Sequence, residues 1–588
     1  MGGQTVAENR LSSIGLEAFR NRLTSIADEI GVALQRTAYS TNIKTRMYFS
    51  CAVFDHSARV VAQSFSQPVH LGSLVHFVPR ILAYYGVERL APGDGILCND
   101  GHLGGVHLND VCLVSPVFHE GELVAFVATL AHHLDVGGGT PGSIGLAKEI
   151  FQEGLRIPPI RFIQRGEIDE SVYQLIANNI RSPKESGGDL RAQMAGVNIG
   201  CRRVSETIAR YGVSGFQQLT AELFDYTETR TREEIRRIPR GKFEATGFMD
   251  NDGLTDEPIR IHVTITVTGE RVSFDLTGTD PQRKCPMNAT FAMTYSNCAY
   301  SLPVLLDPDL PMNDGFYRNL DVTAPPGTIV NAQSPAAISS GWETGLRVCE
   351  TAMQAFFHAV PEHLAAGSKG CLCNIAFGGI SPRSGKYYVF YEAMGGGYGA
   401  RATKDGIDAV QAHVQNTENS PVEETEAQYP VRIVRYELIP DSEGPGRFRG
   451  GLGLRRDYCF DHDAVFTVIS DRQRFAPWGL AGGGDARAAR YVLNPDTSPR
   501  ELSSKTTITV SANDIVSVQI GGGGGYGPAW QREPERVRQD VLAGRVSVVR
   551  AKSAYGVVID SLSGSVDEEA TREARQSMRD ASYPLDPG

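Results

Sequence analysis

The chain has 588 residues, with 57 Lys and Arg against 68 Asp and Glu, a formal net charge of −11. A nucleic-acid partner would need a basic face, so that class is excluded. Hydrophobic residues at 41% and charged residues at 21% fit a globular protein too long for one core, and about three domains are expected. No apolar run approaches the roughly 20 residues that span a bilayer. The start, MGGQTVAENRL, lacks the basic end and apolar core of a signal peptide. MGGQTV also matches the loose myristoylation pattern, but with no second membrane signal the match is set aside, and a cytoplasmic protein without membrane contact is expected. The cysteines are scattered through apolar runs (Cys51, Cys112, Cys349) and read as reduced core residues. Cys371 and Cys373 stand too close together for a CxxC motif.

In chain order, Phe19, Leu23, Ile26, Ile30 and Leu34 recur at three- and four-residue steps and predict a helix, with Ser13 upstream as a cap and an end near Thr37–Asn42. FSCAVFDHSARVVAQ predicts a hairpin turning at Asp55–Ala58. Pro68 and Gly72 then mark a bend before a helix over Leu74–Leu82. His70 on that bend is a candidate to line a cavity, although a satisfied structural histidine is the favoured reading.

The next stretch, Asp94 to Gly139, carries the chemistry. Two strand-like runs, Val111 to Phe118 and Leu123 to Leu130, are joined by a hairpin-sized link at His119–Gly121. Antiparallel pairing sets the start of the first beside the end of the second, so His107 and Asp110 approach His132, His133 and Asp135. Such a nitrogen and oxygen set suits Zn, Mn or Fe, though a plain hydrogen-bonded strand end would use the same residues. The flanking glycines, Gly101, Gly104, Gly105 and Gly137 to Gly139, favour the metal reading because they let backbone approach a ligand closely.

Pro158 and Pro159 enforce extended chain. Amphipathic helices are then predicted from Gly188 to Tyr211 and from Phe216 to Arg236. A β region begins after Pro239–Gly241, where Ile259 to Val267 and Val272 to Leu276 alternate as a hairpin with one buried face. Asn288 to Leu306 is compatible with helix, the Pro-, Asp- and Asn-rich segments that follow read as surface loops, and Trp342 to Val360 reads as helix. The loop GGGYGAR, with Gly396, Gly397 and Arg401, offers backbone N–H groups and a cation to an anionic ligand, with a tight turn as the alternative. It is neither a P-loop nor a dinucleotide-binding fingerprint. Gly521 to Gly525 reads as a close-packed turn or a second cradle, and DEEATREARQSMRDAS as an exposed helix before a frayed tail.

Ten ordered blocks carry a resemblance, among them GDGILCNDGHLGGVHLNDV, AHHLDVGGGTPGS, LRAQMAGVNIG, GGGYGARATKDGIDAV, NTENSPVE and GPGRFRGGLGLRRDY. The chain resembles the B-subunit family of hydantoinase and 5-oxoprolinase enzymes, which also contains the large subunits of acetone and acetophenone carboxylases. The resemblance implies ATP-driven phosphorylation of a carbonyl oxygen by a separate, actin-like A subunit carrying ATP and Mg, in an α2β2 or larger hetero-oligomer. It implies a divalent metal, Zn or Mn with Fe as a third candidate, on His107, Asp110 and His132. His133 competes with His132, because neighbouring strand residues face opposite ways. The chain departs from the family pattern with Gly101–His102 in place of Pro and an aromatic, Val106 in place of Thr, and Asn109 in place of Pro.

The expected fold is multidomain α+β, with mixed sheets, flanking amphipathic helices and a β-rich C-terminal half. Its expected parts are a metal-bearing domain over 1–240, a central domain over 241–430, a β-rich domain over 431–545 and a terminal segment over 546–588. The expected activity is hydrolysis of a cyclic amide by a metal-activated water. Asp100, His133 and Asp135 are the candidate orienting or proton-shuttling groups, and Gly396, Gly397 and Arg401 the candidate anion holders. A ketone carboxylase component and a non-catalytic scaffold for the ATPase are the alternatives.

Overall fold

The computed structural model of the protein describes residues 13–64, 67–560 and 563–582; the MGGQTV start and the terminal tail lie outside them. Nothing decides the site more than a seven-stranded antiparallel sheet in the N-terminal part. Its strands are β1 (Phe49–Asp55), β2 (Val60–Gln63), β3 (Gly95–Cys98), β4 (Asp110–His119), β5 (Glu122–His132), β6 (Ile160–Gln164) and β7 (Glu167–Ile168), in the order β2-β1-β5-β4-β3-β6-β7. The helices of this part are α1 (Ser13–Thr37), α2 (Thr41–Lys44), α3 (Pro68–Tyr85), α4 (Glu170–Ala177), α5 (Pro183–Tyr211) and α6 (Val213–Ile235).

One face of the sheet is sealed by α1, α5 and α6. The predicted stripe Phe19, Leu23, Ile26, Ile30 and Leu34 is buried there. Gly200 of α5 lets that helix close on α1, since a Cβ in its place would stand 2.6 Å from Ile30. The predicted turn between β1 and β2 forms because the Asp55 carboxylate accepts the N–H groups of Ser57 and Arg59. The predicted bend at Pro68 and Gly72 is instead the first part of α3. Proline is tolerated at the first helical position, where its missing N–H would have no partner anyway. Gly72 sits inside the helix because Ser296 packs against it, 2.3 Å from where a Cβ would lie.

The other face shares its core with a second sheet of β8 (Gly241–Met249), β9 (Ile259–Val267), β10 (Val272–Asp275) and β11 (Leu320–Thr323). Packed with it are α7 (Phe291–Ser301) and α9 (Gly341–Phe357), while the short α8 (Asp314–Tyr317) packs on α6. The alternation of Ile259, Ile261, Val263 and Ile265 is borne out, each of them buried. The segments expected to be surface loops are more ordered than that. They contain α8 and β11, and Ala336 to Ser340 is buried, with Ile338 and Ser339 donating their N–H groups to the Glu153 carboxylate.

The C-terminal half is a two-sheet sandwich. One sheet joins β12 (Asn374–Ile380) and β13 (Tyr387–Ala393) to β16 (Ala464–Ile469) and β19 (Lys505–Val510). The other joins β14 (Val431–Leu438), β15 (Leu454–Phe460), β17 (Arg490–Leu493), β18 (Arg500–Leu502) and β20 (Ile515–Gln519). Phe377, Phe390, Tyr458, Phe460 and Phe466 meet between them. Strands on both sides of residue 430 therefore share one sheet, through the antiparallel pairing of β12 with β16. The architecture is α+β throughout, with the predicted helix near the C-terminus at Glu568–Ser582. Among the described residues no helix is long and apolar enough to cross a membrane.

Two devices brace this half, one within it and one tying it to α9. The first is a glycine lattice in which Gly397 donates to Gly521, Gly523 to Gly451, Gly524 to Gly367 and Gly525 to Gly484. A Cβ on Gly523 would fall 2.2 Å from the Tyr398 carbonyl, so side chains are excluded by backbone itself. The second is a buried charge network, in which Arg347 and Glu350 of α9 pair with Asp471 and Arg472, and Lys505 pairs with Asp471.

Gly523→Ala is expected to lower stability by roughly 2–3 kcal/mol through overpacking. Gly215→Ala, at a helix position whose nearest neighbour is at an ordinary 3.6 Å, should be neutral or mildly stabilising. Thermal unfolding of the two variants checks this contrast. Burial alone would raise the Glu350 and Asp471 carboxyls, but Arg472, His413 and Arg347 around the first, and Lys505 and Arg347 around the second, lower both to about 2. Folded values below the unfolded ones mean that this stability is complete above about pH 4.5 and is lost as pH falls toward 2. Glu350→Gln should unfold more readily at neutral pH, yet show a shallower acid dependence in denaturant titrations.

Candidate metal centre

Strand register makes the site. Asp110, the first residue of β4, lies directly opposite His132, the last of β5, so their side chains share one face. The His132 N–H continues the pairing onto the Tyr48 carbonyl just before β1. His107 reaches the same point because the chain turns tightly between it and Asp110, whose N–H bonds the His107 carbonyl. Asn99 pins that turn from behind, donating to the carbonyls of Leu108 and Leu155 and accepting from the N–H of Ile157. Asn109 fixes it to the far strand, bonding the carbonyls of His133 and Gly142.

His107, Asp110 and His132 each present a donor atom within 4.8 Å of the others, all three side chains being buried. Asp110 Oδ1 accepts from His132 Nδ1 at 2.8 Å, and Oδ2 lies 2.6 Å from His107 Nδ1 without hydrogen-bond alignment. Burial would raise the Asp110 carboxyl, but the charges of His107 and His70 and the hydrogen bonds from the neighbouring imidazoles outweigh it and hold it well below the usual carboxylate range. Burial also pushes His132 down to about 4, against the pull of Asp110, so at neutral pH the pair is a carboxylate and a neutral imidazole.

His70 joins them. Its Nε2 stands 3.4 Å from Asp110 Oδ1, it is fully buried, and neither ring nitrogen has a hydrogen-bond partner. The sequence reading favoured a satisfied structural histidine here; the structure gives an unsatisfied one at the centre. The helix that starts at Pro68 is what turns His70 inward, and a bend at that point hid it. Aromatic rings close the remaining sides. Tyr48 stacks on His132 and His70, Tyr391 stacks on His132, and Trp342 tilts against His107. None of these three was singled out as a site residue, because they come from an inter-element segment, from β13 and from α9. A single aromatic residue in such a place carries no local signal of its role.

The fit to a metal is tested by what has no partner. His107 Nε2, both nitrogens of His70, His132 Nε2, Tyr48 Oη and Trp342 Nε1 are buried without hydrogen bonds. Each such atom costs about 1–3 kcal/mol when left unpaired, a concentration that a packed core avoids. Two or three imidazoles with one carboxylate form a donor set that fits Zn, Mn or Fe.

The other predicted residues lie elsewhere. His133 faces the helix-covered side, where its Nε2 bonds Gln193 of α5. Asp135 accepts from the N–H groups of Gly137, Gly142 and Arg181 and pairs with the Arg181 guanidinium, leaving little of it for proton transfer. Asp100 caps the turn at His102 and faces Arg156 at 3.5 Å. Gly137 serves close packing, a Cβ there standing 2.0 Å from the Asn179 carbonyl. The anion cradle is corrected as well, because Gly396 and Gly397 donate their N–H groups to the carbonyls of Val410 and Gly521. Arg401 lies over the Tyr398 ring, its backbone bridged to Lys404.

A family model described as hydantoinase B/oxoprolinase matches residues 12–529. The chain belongs to that family. It is 35% identical to the B-type component of a putative D-/L-hydantoinase of Pseudomonas sp. (strain NS671), covering 96% of this chain and 98% of that one. It is 32% identical to the beta component of the caprolactamase of Pseudomonas jessenii, covering 96% and 99%. The crystal structure of that ATP-dependent caprolactamase superposes with a TM-score of 0.89 at 29% identity, over 97% of this chain and 100% of that one. A nucleotide-free acetone carboxylase superposes with a TM-score of 0.91 over 97% of this chain and 84% of that one; at 20% identity it speaks for the fold alone.

Metal analysis checks the centre. His107→Ala and Asp110→Asn are expected to weaken binding of a divalent metal by at least about tenfold, and His70→Ala to weaken it too, while His133→Gln leaves metal content unchanged. Equal occupancy in wild type and His107→Ala would remove the assignment.

Proposed function

We propose that this chain is the B-type component of an ATP-dependent cyclic amide hydrolase, working with an A-type, actin-like ATPase that phosphorylates the amide oxygen. The observation that carries the reading is the buried His107, Asp110 and His132 group with its unpartnered donor atoms. Kinship with the B-type component of a hydantoinase and the beta component of a caprolactamase supports the substrate class.

A divalent metal held by His107, Asp110 and His132 would supply Lewis acidity, lowering the pKa of a water and polarising the carbonyl. The protein's own groups do the rest. Asp110 stays ionised and fixes the His132 ring through Nδ1. The rings of Tyr48 and Tyr391 lock the orientation of His132 from two sides. His70, beside Asp110 with both nitrogens free, is placed to take the proton released by an attacking water. Trp342 and the tyrosines keep bulk water from an activated intermediate. His133 and Asp135 act behind the site, holding the strand end and its loop.

The test is co-purification with the cognate A-type ATPase and ATP-turnover assays against hydantoins, lactams, 5-oxoproline and ketones, with and without bicarbonate. ATP hydrolysis coupled to ring opening of a cyclic amide is expected. His107→Ala should cut it by on the order of a hundredfold or more while leaving the unfolding midpoint in place. Turnover that requires a ketone and bicarbonate would replace the hydrolase with a carboxylase.

A further inference from the structure

A second cavity, of about 390 Å³, opens beside the first turn of α3. Most of its wall is apolar, from Pro68 and Leu71 of α3, Ala299 and Tyr300 of α7, and Met312 and Tyr317. His70 belongs to the same helical turn as Pro68 and Leu71, so this one turn contributes both to the cavity and to the metal centre. Across from the apolar wall runs the strap 413–416, contributing His413, Gln415 and Asn416. The Asn416 N–H bonds Gln67 Oε1, which ties the strap to the start of α3.

Two features of the strap point to a ligand. The Gln415 carboxamide is buried with neither Oε1 nor Nε2 hydrogen-bonded, while His413 turns its Nε2 toward the Glu350 carboxylate, 3.7 Å away. His413 also holds a left-handed backbone, φ +58°, which a residue with a side chain adopts only when its surroundings impose it. Two unpartnered carboxamide atoms on this strap, in a cavity with a mostly apolar wall, form a recognition surface.

The chemistry of the carboxamide names the ligand. Gln415 offers a carbonyl acceptor and an N–H donor side by side in one plane. The complement is an amide whose N–H and C=O lie on the same side, the cis arrangement. A small ring enforces it, whereas an open-chain secondary amide reaches it only at a cost of about 2.5–4 kcal/mol. We propose that this cavity binds the cyclic amide, Gln415 pairing with its N–H and C=O together while the ring carbons lie on the α3–α7 wall. The proposal rests on the hydrolase reading for its substrate class, and it adds the residue that separates cyclic from linear amides.

Binding of a lactam, its N-methyl derivative and an open-chain secondary amide is measured by calorimetry on the purified complex of this chain with its ATPase, for wild type, Gln415→Leu and Leu71→Trp. Wild type should prefer the lactam to both other ligands by on the order of tenfold. Gln415→Leu should lose that preference, and Leu71→Trp, which fills the cavity from its apolar wall, should weaken lactam binding as well. Metal content and unfolding midpoint are read alongside; if Gln415→Leu does not fold, Leu71→Trp decides. Lactam affinity unchanged in both variants, an N-methyl lactam bound as tightly as the lactam, or no lactam binding at all by wild type overturns the proposal. Lactam turnover that persists unchanged in both variants removes this cavity and leaves the hydrolase standing. Gln415-dependent lactam binding in a complex that opens no cyclic amide does the reverse.

Discussion

The pairing of Asp110 with His132 across β4 and β5 is the constraint from which the rest follows. Strand register is set by two buried faces, and a slip of one residue would turn every side chain of β5 over. It would exchange His132 for His133, moving the centre's imidazole into the layer of α5. The register is guarded from both ends. Gln193 of α5 holds His133 on its own face and donates to the Val111 carbonyl of β4, while the Tyr48 carbonyl takes the His132 N–H. A carboxylate and an imidazole can thus be buried together, each lowered from its ordinary pKa, because the sheet fixes them before any ligand arrives.

Around that pair the protein builds a chamber from three parts of the chain. The N-terminal sheet gives the polar floor, α3 gives His70, and α9 and β13 bring Trp342 and Tyr391. Arg46 binds these parts together, bonding the carbonyls of Tyr391 and Glu418 while lying over the Tyr391 ring. The ion pairs of α9 with Asp471 and Arg472 hold the sandwich in register with this chamber, and the backbone-on-backbone glycine lattice braces the sandwich itself. Buried ion pairs of this kind add little net stability over apolar packing, but removing one partner strands a charge, so they fix an arrangement strongly.

The glycines illustrate how a composition signal is read two ways. Dense glycine permits backbone to approach a ligand or another backbone. At Gly397 and Gly522 to Gly525 the neighbours are the chain's own backbone, and the N–H groups an anion would need are already bonded, as is that of Gly396. The same holds at Gly137 near the centre. Only the identity of the neighbour distinguishes the cases, and neighbours far apart in sequence leave no local trace.

The sequence by itself determined the periodic elements, from the Phe19-to-Leu34 stripe to the alternation in β9, because periodicity follows from local backbone geometry. It also determined the grouping of His107, Asp110 and His132, since a short link between two apolar runs admits an antiparallel hairpin with those ends adjacent. Tertiary structure alone decided which of His132 and His133 faces inward, that β12 pairs with a strand beyond residue 430, and that Ala336 to Ser340 is buried. It alone brought His70, Tyr48, Trp342, Tyr391 and Gln415 to their cavities. These placements depend on contacts between residues far apart in the chain, and no spacing or propensity along the chain encodes such contacts until the layers pack.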